Sequence, residues 1–150
     1  MLRRTRPFHW ERDKGADVRG KVVASLVDRP LRLCVAATRC APRDQTAARA
    51  QLFDEILLPF AFRLGVTGFV LEQRSNAENH ADGRSIWNWY RPTPERIPTF
   101  RHVGKTEPLT WLADAVSGIW SDAILGRSDG MLERLAASGN PEVAVLNRAS

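Results

Sequence analysis

Two short runs rich in leucine and valine, LRLCVAATR (31–39) and VTGFVLEQR (66–74), bracket a stretch with a different period. That alternation leaves the chain few architectures. Short apolar runs between turn signals read as buried strands. Between them, 41–65 places Leu52, Phe53, Ile56, Leu57, Phe60 and Leu64 on one helical face. Asp44 suits its N-cap and Gly65 its C-cap. Pro59 lies inside the pattern and predicts a kink or an early end.

The flanks follow the same logic. Val18, Val22, Val23, Leu26 and Val27 predict a helix over 16–28, stopped by Pro30. SNAENHA reads as a polar loop after the second strand, with Asp82 capping a short helix through GRSIWNWY. A third strand is expected over 98–104, a helix from Glu107-Pro108 to Gly126, and a last helix over 129–138. The order is α-β-α-β-α-β-α-α, an α/β layer with largely parallel pairing. The expected organisation is a basic irregular segment over 1–15, one α/β domain over 16–138 and a tail over 139–150. Three strands are few for so many helices.

A chain of 150 residues fits one domain with a real core. No apolar run approaches the ~20 residues of a membrane span, so no membrane partner and a cytoplasmic location are expected. Cys34 and Cys40 form no CxxC pair and no disulfide framework. The net charge of +5 is carried mostly by arginine, which grips phosphate in two-point fashion; this permits a nucleic-acid partner, and it is also the composition that GC-rich genomes encode. There is no G-x-S-x-G elbow and no phosphate-cradling glycine loop. His9, His80 and His102 have no triad spacing. IWNWYRP (86–92) sets Trp87, Trp89 and Tyr90 beside Arg91, a pattern that either stacks on bases or packs on a sheet.

Three acids invite a chemical reading, and each has a plainer one. Glu72 ends the second strand, at the sheet edge where α/β proteins bind ligands, or is simply a solvated strand end. Asp82 is a helix cap or a ligand in the loop region. Asp114 lies on the helix PLTWLADAVSGIW, opposite its apolar side and beside Trp111, Ser117, Gly118 and Ser121. Surface helices carry more charge than that face does, so it reads either as solvated or as the wall of a cleft. Converging carboxylates need a cation, and hard oxygen ligands suit Mg²⁺ or Mn²⁺.

FHWERDKGADVRGKVVASL, LRLCVAAT, FVLEQRSNAENHADGRSI and EPLTWLADAVSGIW, in that order, resemble a bacterial family common in actinobacteria. It belongs to the domains of unknown function with a ribonuclease-H-like fold. The resemblance covers roughly residues 8–127. It implies helices on a mixed sheet and a metal-dependent nuclease. Glu72, Asp82 and Asp114 would bind Mg²⁺ or Mn²⁺ and carry the hydrolysis. A histidine preceding tryptophan maps onto His9, and His9, Arg74 and Arg84 are the expected nucleic-acid contacts. Family members open with a strand bearing an Asp-Glu-Ser motif, and this chain starts just before FHW without one. The expectation is therefore a fold lacking its first strands and possessing an incomplete ligand set. The alternative is a non-catalytic nucleic-acid-binding or protein-interaction domain of the same fold.

Overall fold

The computed structural model describes Trp10 and residues 15–27, 31–127, 130–138 and 142–145. Its elements are α1 (Ala16–Val27), β1 (Cys34–Ala37), a helical run over Pro42–Arg63, β2 (Gly68–Glu72), α4 (Asn76–Tyr90), β3 (Thr99–Val103), α5 (Pro108–Ile124), α6 (Met131–Ala137) and β4 (Glu142–Val145). The helical run comprises a 3₁₀ turn (Pro42–Asp44), α2 (Gln45–Leu52), a π turn (Phe53–Leu57) and α3 (Leu58–Arg63). The fold is mixed α/β. Among the described residues no helix is long and apolar enough to cross a membrane.

Among the described residues the strands form two small sheets rather than one. β2 and β3 pair in parallel, with Phe69 opposite Phe100, Leu71 opposite His102 and Glu72 opposite Val103. β1 is hydrogen-bonded to β4. β4 falls in the segment expected to be a tail. Its EVAV run is only four residues long, and a strand that short is defined by its partner rather than by its own pattern.

The chain divides into two compact units, 1–35 with 105–143 and 36–104 with 144–150. The first is helical, and α1, α5 and α6 share a core. Val22, Val23 and Leu26 from α1 meet Ala115, Val116 and Ile119 from α5 and Met131 and Leu135 from α6. Trp10 is buried in the same cluster.

The second unit holds the parallel pair. Its core is Phe53, Leu58, Ile86 and Tyr90, with Phe69 and Leu71 packed against them. Pro59 does not end the helical run. Proline has no N–H for the carbonyl four residues back, and the π turn before it takes a wider step, with the Leu58 N–H donating to the Phe53 carbonyl. The helix thus continues to Arg63, and Gly65 closes it at φ 67°.

α4 begins earlier than the polar composition of SNAENHA suggested. Ser75 and Glu78 form a capping box: the Ser75 hydroxyl accepts from the Glu78 N–H, and the Glu78 carboxylate accepts from the Ser75 N–H at 3.2 Å. The Ser75 hydroxyl also donates to that carboxylate, holding it below the usual glutamate range. The expected loop is therefore helix, and Asp82 sits in its middle rather than at its cap.

Candidate functional site: a cleft between α4 and β3

Asp82, Ile86 and Tyr90 recur every four residues along α4, and all three are buried. Ile86 and Tyr90 join the core. A carboxylate on the same stripe must find cationic or hydrogen-bonding partners. Asp82, 2 % exposed, receives two bonds from Arg49 on α2, Nη1 to Oδ1 at 2.6 Å and Nη2 to Oδ2 at 3.2 Å. His102 on β3 places Nε2 3.3 Å from the same Oδ2. Both carboxylate oxygens are thereby engaged by cationic or ring N–H groups.

The neighbouring stripe of α4 faces solvent and forms one wall of a cleft of about 560 Å³. Asn76, His80 and Arg84 stand four residues apart on it, and Gly83 and Trp87 continue the face. β3 supplies the other wall. Phe100 and His102 are two residues apart, so both point to the same side of the strand. Gly83 permits this closeness, since a Cβ there would come within 3.2 Å of the Phe100 ring. The Phe100 and His102 rings meet edge to face at 6.2 Å. Trp87 is 55 % exposed and Phe100 43 % exposed, a costly arrangement for two large aromatic surfaces that no described residue covers. Arg84 makes no ion pair among the described residues.

No family model, curated protein or solved structure matches this chain.

The expected site residues fall in different places. Glu72 is the exposed last residue of β2. Asp82 lies under the cleft, locked to Arg49 and His102. Asp114 belongs to the helical unit, where its Oδ2 accepts the Trp10 backbone N–H at 2.7 Å. Among the described residues there is no group of three or more His, Cys, Asp or Glu side chains placed to hold a metal ion. Of the expected nucleic-acid contacts, Arg84 lines the cleft, and Arg74 is paired with Glu78 at 2.6 Å. His9 lies outside the described residues.

The small-residue face of α5 turns out to be a seat for Trp10. Asp114, Gly118 and Asp122 recur every four residues on that helix. Trp10 presses on Gly118 so closely that a Cβ there would overlap the indole. Asp122 accepts the indole N–H at 2.8 Å and an Arg19 guanidinium N–H at 3.2 Å. Arg19 in turn donates to the Trp10 carbonyl at 2.7 Å and lies 4.1 Å over its ring. The small residues and sparse charge of this face are thus explained by packing. Sequence reasoning passed over Asp122 and weighed His102 only as a strand histidine without triad spacing. The four-residue step from Asp114 through Gly118 pointed to the first. The two-residue step from Phe100 put His102 on the same strand face, but only the structure shows that this face lines a cleft.

Proposed function

We propose that the α4–β3 cleft binds single-stranded nucleic acid, stacking bases on Trp87 and Phe100 and holding phosphate with Arg84. The observation that carries this reading is the pairing of two solvent-facing aromatic rings with an arginine free of described carboxylate partners in one cleft. Every base offers a π face, so aromatic platforms bind single strands with little regard to sequence. A guanidinium beside them supplies the phosphate contact. The 36–104 segment of the second unit contains nine arginines and no lysine. Its cationic groups are therefore all of the planar kind that both stack and pair in two-point fashion.

This is the binding reading of the two expected from the sequence. The other, a ribonuclease-H-like nuclease using Mg²⁺ or Mn²⁺, asks Glu72, Asp82 and Asp114 to share a cation. Asp82 already spends both oxygens on Arg49 and His102. The cleft needs no such sharing.

The test is titration of the protein into a fluorescent single-stranded oligonucleotide, read by anisotropy at two or more salt concentrations. Trp87→Ala is expected to weaken binding by about 5- to 150-fold, the value of ~1–3 kcal/mol for one stacked base. Arg84→Ala is expected to weaken it and to reduce the salt slope by about one. Binding indifferent to both substitutions would refute the assignment.

A further inference from the structure

We infer that the same cleft cleaves RNA without a metal ion, using His80 and His102 as its proton-transfer pair. The inference rests on the binding reading above and adds a reaction to it. Two imidazoles reach one cleft from two different elements, His80 from α4 and His102 from β3. Imidazole is the side chain that most often moves protons in catalysis. The two are not equivalent. His80 is exposed and His102 is half-buried. The Nε2 of His102 is held by Asp82, and Asp82 is itself fixed by the two-point contact with Arg49. A ring anchored at one nitrogen has a defined orientation and leaves Nδ1 as the nitrogen available to a ligand. Asp82 is thus a positioning residue, not a catalytic one. Its burial under the cleft gives this chain a use for a carboxylate that no metal needs to share.

The reaction fitted by this set is internal transesterification. The 2′-oxygen of a ribose forms a bond to the adjacent phosphorus, and its proton passes to one imidazole. The bond from phosphorus to the 5′-oxygen breaks, and that oxygen takes a proton from the other imidazole. The products are a 2′,3′-cyclic phosphate and a free 5′-hydroxyl. Nothing else is consumed, and proton exchange with water resets the pair. Arg84, in the same cleft, neutralises the charge that builds on the phosphoryl oxygens. Trp87 and Phe100 stack the flanking bases and so hold the linkage in place.

The experiment uses the full chain in excess EDTA with three oligonucleotides of one sequence: RNA, its 2′-O-methyl form and DNA. All three are expected to bind. Only the RNA should be cut, and its products should carry cyclic phosphate. His80→Ala and His102→Ala are each expected to lower the cleavage rate by about 10²- to 10⁴-fold. Added imidazole should restore part of that rate. Asp82→Asn should lower turnover while leaving affinity for the 2′-O-methyl oligonucleotide unchanged, a split that unfolding would not produce. Binding without cleavage in EDTA overturns the inference and leaves the binding reading standing. Cleavage that appears only with added Mg²⁺ or Mn²⁺ also overturns it, as does cleavage unchanged in His80→Ala. Failure of all three oligonucleotides to bind removes the cleft assignment itself and the inference with it.

Discussion

Gly118→Ala gives a result whose sign depends on whether Trp10 occupies its seat on α5. Gly118 is mid-helix, and at an open helical position alanine stabilises by about 1 kcal/mol over glycine. At this position the added Cβ would stand 2.7 Å from the Trp10 Cβ and would overlap the indole ring itself. The neighbour that must yield is a rigid aromatic side chain only 2 % exposed, its residue anchored by hydrogen bonds that its backbone and indole N–H groups donate and its carbonyl accepts. Displacing it forfeits something close to the ~3–5 kcal/mol that a buried tryptophan is worth against alanine. Subtracting the helical gain leaves a net destabilisation of about 2–4 kcal/mol. For a chain this long that is a fall in Tm of roughly 5–15 °C. The assay is denaturant and thermal unfolding of Gly118→Ala, Trp10→Ala and the double variant. With Trp10 removed, the same glycine replacement should stabilise the protein by up to about 1 kcal/mol, so the effect reverses sign across the cycle. A single Gly118→Ala variant more stable than the parent would refute the placement of Trp10 and, with it, the structural role given to Asp114.

The other predictions concern the cleft-bearing unit. Arg49→Met strips the main cationic partner from a carboxylate 2 % exposed and is expected to cost about 3–5 kcal/mol in urea unfolding, while adding Asp82→Asn should recover part of the loss. Strictly additive losses would mean that the two side chains do not act as a pair. Ser75→Ala removes the N-cap of α4 and should cost about 1 kcal/mol at neutral pH. The Glu78 carboxyl is held below its ordinary range, chiefly by the Ser75 hydroxyl and then by the Ser75 N–H. A lowered carboxyl stabilises the fold fully above the ordinary value near pH 4.5 and loses that contribution as pH falls through the lower folded value. The stability gap between the parent and Glu78→Gln should therefore close as pH falls below the ordinary value near 4.5, and a gap independent of pH would refute the capping box. Ile86→Ala should cost about 2–5 kcal/mol, since Ile86 is fully buried between the stripe positions of Asp82 and Tyr90.

Much of the secondary structure was legible because its signals are local. The helices over 16–27 and 108–124 and the strands over 68–72 and 99–103 lie within a few residues of where periodicity and turn chemistry put them. The start of α4 was also legible, in the spacing of Ser75 and Glu78, but the polar composition around it pointed to a loop. β4 was not legible, because four residues carry too little pattern without a partner strand.

By itself the sequence determined an alternating α/β order, arginine as the main cationic group and the faces of its longer helices, since period and composition need no knowledge of neighbours. Only the tertiary structure decided what each polar residue does on those faces. Asp82 and Asp114 look alike in sequence, as single acids near small residues. In the fold one holds a histidine under a cleft, and the other holds the backbone of Trp10. The reason is physical. A carboxylate's role is fixed by whichever donors come within about 3 Å of it, and here those donors come from 20, 33 and 104 residues away along the chain.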